Sequence, residues 1–253
     1  MATVGGMIDE RREIDDHRDT TGVDRGPMIL ASAGIVIVSL LVVFMLTAMV
    51  RHGTGFGSYD FRLLREFERH RNPHLVHAAN VLADFGTIGM LMVIAVVAGL
   101  LLRWRGLNAI LCAVPGASLL VSGGLVQIMK VSVVRVGPNS QFGFGSPSTG
   151  SFPSGHSADT TALSIGLAIV LVAVLVRRPA ERVAVFGVAV ALSVAVGVSR
   201  LVLGVHWPTD VVAGWAIGLG TAVAIGTVAV MVTADRPFTV AMPPVRELDR
   251  SRA

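Results

Sequence analysis

The sequence is short of charge. Only 15% of its 253 residues are charged, against about a quarter in a typical soluble domain. Lysine occurs once, as Lys130, beside 20 arginines. Cysteine also occurs once, as Cys112. A lone thiol excludes an intramolecular disulfide and a cysteine-based zinc framework, and its place inside an apolar run assigns it to packing. There is no His-Glu-x-x-His helix and no cysteine pair, so no metal and no other cofactor is expected. The excess of positive charge is only +4, and no basic stripe with interleaved aromatics is present. The high isoelectric point therefore does not indicate a nucleic-acid partner.

What the chain has instead is long apolar runs. Six are present, at about 28–50, 76–102, 107–130, 158–176, 183–201 and 209–233. Each is long enough to cross a hydrocarbon core of roughly 30 Å. The fold class that follows is all-α: a polytopic membrane protein with six transmembrane helices in a bundle over about 28–233. The first run is not expected to be a cleavable signal peptide, because a largely polar stretch of 27 residues precedes it.

An even number of spans puts both termini on one side. That side carries 13 basic residues and the other carries 8. The positive-inside rule then places both termini in the cytoplasm. Residues 1–27 read as a mobile cytoplasmic tail, and 234–253 as a second cytoplasmic tail. Asp15, Asp16 and Asp19 have the spacing of a magnesium-diphosphate motif, but without an apolar cavity they read as a solvated charge run. Between the first two spans, Phe61, Leu64 and Phe67 share a helical face, with Arg62, Arg65 and Arg69 largely off it. This predicts a short amphipathic helix at about 60–71, lying in the interface with its arginines at the headgroups. The links at 103–106 and 176–182 are short and arginine-rich, as cytoplasmic turns should be. The loop at about 131–157 lies on the opposite side and is rich in Gly, Ser and Pro, so its backbone is free to wrap around a ligand. Gly214, Gly218 and Gly220 recur on the last span and are assigned to close helix contact.

Chemistry-bearing residues gather in three places: Lys130 to Pro138, Ser151 to Ser157, and Ser199 to Asp210. In a six-span chain these are the end of span three, the start of span four and the link from five to six. All three lie on one face. Ionisable groups at membrane depth are costly and default to function. Lys130, Arg135 and Arg200 are cations. Ser154 and the backbone around Gly155 offer neutral donors, and the helix opening there favours an anion. Together they describe a pocket for a multivalent oxyanion, most simply phosphate. Asp210 follows His206 by four residues, so its carboxylate can reach back and fix the tautomer, leaving the other ring nitrogen to attack. His156 faces the same pocket. One histidine can attack phosphorus while the other protonates the departing oxygen.

These residues resemble the type 2 phosphatidic acid phosphatases (PAP2), the membrane branch of a superfamily that includes vanadium haloperoxidases. The signature has three parts: lysine, six residues, Arg-Pro; then Pro-Ser-Gly-His; then Ser-Arg, five residues, His, three residues, Asp. The second is complete here as Pro153, Ser154, Gly155 and His156, and the third as Ser199, Arg200, His206 and Asp210. The first departs, because Gly137-Pro138 stands where the family has Arg-Pro. The resemblance implies that His206 is the nucleophile and forms a phosphohistidine. Asp210 would orient it and His156 would be the general acid. Lys130, Ser154, Gly155 and Arg200 would bind the phosphoryl oxygens, with no metal. Either Arg135, two residues before Gly137, replaces the family guanidinium, or the pocket has one cation fewer; Arg65 or Arg69 can also compensate.

The expected activity is hydrolysis of a lipid phosphate or diphosphate at the outer leaflet of the cell's inner membrane. Undecaprenyl or decaprenyl diphosphate is favoured over phosphatidic acid and phosphatidylglycerol phosphate. Two other readings stay open: a lipid-phosphate-binding membrane protein that has lost activity at the altered arginine, and a phosphotransferase using the same site. A transporter would predict broken helices near mid-membrane, whereas the polar groups here sit at helix ends. Among the remaining polar residues, Asp159 is expected to favour the start of its helix, Gln127 to bond between helices, and Trp207 to sit at the interface. Asp84 has no obvious partner: it either pairs with a cation on the active face or packs against a helix.

Overall fold

A computed structural model describes residues 26–53, 57–138 and 150–234. Nearly all of both tails, the run from Asp15 to Asp19 and the middle of the Gly/Ser/Pro loop lie outside the described residues. The chain divides into two compact units, 1–31 and 32–253. Of the first, the described residues are 26–31, and they are helical.

Eight α-helices occur among the described residues: α1 (Gly26–His52), α2 (Gly57–Arg69), α3 (Pro73–Phe85), α4 (Ile88–Trp104), α5 (Ala109–Ser132), α6 (Gly155–Val174), α7 (Pro179–Val202) and α8 (Pro208–Thr233). Their starts follow local chemistry. Proline, whose missing N–H costs nothing in the first turn, opens α3, α7 and α8. The side chains of Asn72 and Asn108 accept from Leu75 N and Ile110 N, each at 2.9 Å, and cap α3 and α5.

Helices α1, α5, α6, α7 and α8 are each long and apolar enough to span a bilayer. The run at 76–102 is not one straight span. It is α3 and α4, bent by 55° between Phe85 and Ile88. The Thr87 hydroxyl donates to the Asp84 carbonyl at 2.7 Å, and Gly86 lies at the break. A Cβ on Gly86 would stand 2.8 Å from Val196 and 3.2 Å from the His156 ring. The bend thus lets bare backbone approach the head of α6. Counting this pair as one span gives six.

Helix α6 is the centre of the body and packs on α8, α5, α7 and α4. Its seam with α8 is a backbone contact. A Cβ on Gly214 would lie 2.9 Å from the Ser157 Cβ, and one on Gly218 would overlap the Ala158 carbonyl. Only glycine at these two positions lets the axes approach so closely, which is the packing role the sequence assigns them.

The amphipathic helix at 60–71 is α2, and its apolar stripe is turned to protein. Leu64 is buried, with Phe61 and Phe67 packed beside it, against Leu201 at the end of α7 and Trp207 and Val211 at the head of α8. The arginines are outside, Arg62 over the Tyr59 ring and Arg65 over the Phe61 ring.

Candidate active site

Three segments distant in sequence meet at one end of the bundle. Ser154 N donates to the Asp210 carbonyl at 3.0 Å, joining the head of α6 to the head of α8. Gly150 N and Ser151 N both donate to the Arg135 carbonyl at 3.0 Å. The Trp207 indole N–H donates to the Val136 carbonyl at 2.9 Å. The stretch after α5, the approach to α6 and the α7–α8 link are therefore stitched together by backbone acceptors.

Helix α6 begins three residues before the apolar run does, and Ser154 is its N-cap residue. The first intrahelical bond is donated by Ala158 to the Ser154 carbonyl at 3.1 Å. The N–H groups of Gly155, His156 and Ser157 consequently have no partner within the helix and carry its positive dipole end. The Ser157 hydroxyl donates to Ser154 Oγ at 3.0 Å. That leaves the Ser154 proton for an incoming oxygen. A Cβ on Gly155 would find only ordinary contact, 3.7 Å from Val126. Glycine is therefore not demanded there by the protein's own packing.

The charged groups of this surface act on one another. Arg200, His206 and Lys130 all lie within electrostatic range of His156. Lys130 is at the last turn of α5, its stem packed on Gly150. Arg200 is in the last turn of α7, and its Nε is buried with no hydrogen-bond partner. Asp84, in the last turn of α3 before the bend, is exposed and lies within electrostatic range of Arg200.

His206 precedes α8 and is buried. Its Nδ1 stands 3.6 Å from Asp210 Oδ2, a little long for a hydrogen bond and closed by a small ring rotation. The Asp210 carboxylate is fully buried. Its Oδ2 accepts from Trp207 N at 2.9 Å, and its Oδ1 from Arg135 Nη1 at 2.5 Å.

The Arg135 guanidinium is engaged by three protein oxygens. Besides Asp210, Nη1 donates to Thr209 Oγ1 at 2.7 Å, and Nη2 donates to Asp60 Oδ2 at 2.6 Å. Asp60 is on α2 and 2% exposed. It also accepts from Thr209 N at 3.0 Å and from Thr209 Oγ1 at 2.6 Å. The sequence reading missed Asp60. Its signal was present: Asp60, Leu64 and Phe67 fall on one helical stripe, and a carboxylate on an otherwise apolar stripe requires a buried cation. Arg65 and Arg69 are exposed and engaged locally, Arg69 with Glu66 at 3.3 Å.

Asp159 reaches back toward the first turn of α6, with Oδ2 placed 4.0 Å from where a Cβ on Gly155 would stand, and it also faces α5, with Oδ1 3.6 Å from where a Cβ on Gly123 would stand. Two smaller expectations are corrected. Trp207 is 8% exposed and belongs to the core beneath α2, because its N–H reaches a protein carbonyl. Gln127 is on an exposed face of α5 and not between helices.

Two histidines, two cations and a helix N-terminus at one end of a helical membrane protein are the groups that a membrane phosphatase would need. Comparison with known proteins makes the class specific. Residues 111–235 match the PAP2 superfamily. The chain is 35% identical over 143 residues to the decaprenylphosphoryl-5-phosphoribose phosphatase of Mycolicibacterium smegmatis, covering 56% of this chain and 72% of that one. It is 29% identical over 184 residues to phosphatidylglycerophosphatase B of Bacillus subtilis, covering 71% and 87%. The crystal structure of a PAP2-type phosphatidylglycerolphosphate phosphatase from Bacillus subtilis superposes with a TM-score of 0.64 at 26% identity, covering 75% of this chain and 93% of that one. Aquifex aeolicus LpxE shares the fold, with a TM-score of 0.50 at 19% identity over 68% and 94%. The chain belongs to the PAP2 superfamily and is a phosphatase.

Proposed function

We propose that the protein hydrolyses a phosphate or diphosphate on a membrane lipid, at the outer leaflet of the inner membrane, through a phosphohistidine on His206. The observation that carries this is the joining of the head of α6 to the head of α8, with Ser154 N on the Asp210 carbonyl at 3.0 Å and His206 Nδ1 3.6 Å from the Asp210 carboxylate, which sets His206 beside the motif that bears Ser154, Gly155 and His156. His206 Nε2 attacks phosphorus as its Nδ1 faces Asp210. The P–O bond to the leaving group breaks, and the departing oxygen takes its proton from His156. Lys130, Arg200, the Ser154 hydroxyl and the N–H groups from Gly155 onward hold the phosphoryl oxygens as charge builds. Water then cleaves the N–P bond. No metal takes part, because nitrogen cations and helix N–H groups do the work of a Lewis acid.

The substrate class we favour is a prenyl-carried phosphate, above all a decaprenyl or undecaprenyl diphosphate. The tail stays in lipid while the headgroup enters the face formed by α5, α6 and α7. The 35% identity to a phosphatase acting on a decaprenyl-linked phosphate supports this order. Phosphatidylglycerol phosphate follows and phosphatidic acid comes after it.

The test is phosphate release in detergent with EDTA, wild type beside His206→Ala. The panel holds a prenyl diphosphate, its monophosphate, a prenylphosphoryl-phosphoribose, phosphatidylglycerol phosphate and phosphatidic acid. Wild type alone is expected to release phosphate, at an unchanged rate with EDTA, and His206→Ala to lose at least about a thousandfold. Release that persists in His206→Ala would remove His206 as nucleophile. No release from any lipid by folded wild type would favour a binding protein and direct attention to Gly137.

A further inference from the structure

We propose that Asp60 and Arg135 are positioning residues for His206, and that they make the reactivity of His206 depend on the docking of α2. The proposal rests on the reading of His206 as the nucleophile. Its geometry is a single guanidinium shared by two buried carboxylates. Arg135 gives one nitrogen to Asp210 and the other to Asp60. Its side chain is 17% exposed, while those of the carboxylates are 0% and 2% exposed. Thr209, which starts the first turn of α8, donates both its N–H and its hydroxyl to Asp60. A chain of contacts therefore runs from α2 through Arg135 to Asp210 and on to the imidazole.

Two features make this more than a structural tie. The first is the charge balance. Asp60 and Asp210 together carry −2 and Arg135 carries +1. The surplus negative charge stands on the Nδ1 side of His206, away from the phosphoryl oxygens. When Nε2 forms its bond to phosphorus the ring becomes cationic, and that surplus stabilises it in a site with little water. Without Asp60, Arg135 would neutralise Asp210 and the surplus would vanish. The second is orientation. Asp210 has one oxygen on Trp207 N and the other on Arg135, so its plane is fixed before substrate arrives. The charged groups of this surface are Lys130 of α5, Arg200 of α7 and Asp159 of α6, which lie with His156 on the phosphoryl side, and Asp60, Arg135 and Asp210 behind the imidazole. Among the described residues, the carboxylates joined to the Nδ1 side are Asp210 directly and Asp60 through Arg135.

Asp60 comes from an element outside the spanning helices. Helix α2 covers the end of α7 and the head of α8 with Phe61, Leu64 and Phe67 and turns Arg62, Arg65, Tyr59 and Leu63 outward. Lifting α2 would withdraw Asp60 and leave the Asp210–Arg135 pair neutral. The arrangement gives the enzyme a way to respond to the membrane surface it works at.

The experiment uses the full-length protein in detergent, with Asp60→Asn, Asp60→Glu, Arg135→Gln and Arg135→Lys beside wild type. Two quantities are read. One is kcat and KM on the best lipid of the panel, with the inhibition constant for inorganic phosphate. The other is the rate at which diethyl pyrocarbonate acylates His206, followed at its peptide by mass spectrometry, with exposed His52, His70, His74 and His77 as internal controls. The second measures the nucleophilicity of the imidazole whether or not any lipid is hydrolysed, so it separates this proposal from the assignment of activity. Asp60→Asn and Arg135→Gln are expected to lower kcat about tenfold or more, to leave KM and phosphate inhibition within about twofold, and to slow His206 acylation several-fold. Asp60→Glu and Arg135→Lys should recover part of both. A raised KM and weaker phosphate inhibition at unchanged kcat would make Arg135 a phosphate ligand and overturn the proposal. Unchanged kcat and acylation, with only a lower unfolding temperature, would reduce the network to packing and overturn it as well.

Discussion

Helices α1 and α6 are opposite solutions to the same membrane. Helix α1 is the most apolar of the spanning helices, yet only 11% of its most apolar stretch is buried in protein. Helix α6 is the least apolar, and 61% of its stretch is buried. Helix α8, with 56%, resembles α6. In water the order would be reversed, because burial there follows hydrophobicity. In lipid a leucine gains little by leaving hydrocarbon for protein, so leucine is no reason for two helices to meet. Small residues and polar groups decide instead. Helix α1 buries Ser39 and Leu46, and Gly220 of α8 approaches Ser39 closely enough that a Cβ would stand 3.0 Å from the serine Cβ. Helix α6 buries Ser157, Asp159, Thr160 and Thr161 near its start. The candidate active face is thus carried by the helix whose sequence looks least like a membrane span.

That contrast is broken most severely at Asp210. Asp210→Ala strands Arg135 beside Asp60, frees Trp207 N and removes the partner of His206. Loss of one member of a buried charge pair costs about 3–5 kcal/mol. We expect phosphate release to vanish and the unfolding midpoint in detergent to fall steeply. Normal stability with lost activity would show that Asp210 serves chemistry alone. Next is Gly218→Val, at the seam that sets the α6–α8 distance. The new side chain meets the Ala158 carbonyl, and forced overpacking costs typically about 1–3 kcal/mol. Here stability and activity should fall together, because Ser154 and Asp210 are joined across that seam. Activity retained at lower stability would show that the site tolerates a wider spacing.

Much of this was legible from spacing alone. The apolar runs predict the spanning helices to within a few residues, since length and composition fix what a bilayer accepts. The motifs from Pro153 to His156 and from Ser199 to Asp210 bring chemically matched residues to helix ends on one side. What stayed hidden depends on distant contacts. The bend at Gly86 arises where backbone must clear His156 and Val196, residues 70 and 110 positions away; in the sequence, that glycine is one small residue within a long apolar run. The Asp60–Arg135 pair closes over 75 residues. Local periodicity shows that Asp60 is on the apolar stripe but not which cation it meets. Helix α2 misled for a related reason: an apolar stripe reads the same whether lipid or Trp207 covers it, and only the carboxylate within it tells the two apart.

Within α1 itself the contrast can be sharpened to single positions. Ile37, Leu40, Leu41 and Phe44 lie on one exposed stripe, at 56%, 63%, 60% and 74% exposure. Ser39, among them in sequence, is 5% exposed and lies on the opposite side, facing α8. Ser39→Leu adds bulk where α8 already touches, and overpacking there should cost about 1–3 kcal/mol. Phe44→Ala removes far more apolar surface and should change stability by about 0.5 kcal/mol or less, because lipid chains fill the space and no protein contact is lost. Both can be read from unfolding midpoints in the same detergent. If Phe44→Ala is the more damaging of the two, that stripe is covered by protein in the native membrane, and the exposed face of α1 is an interface.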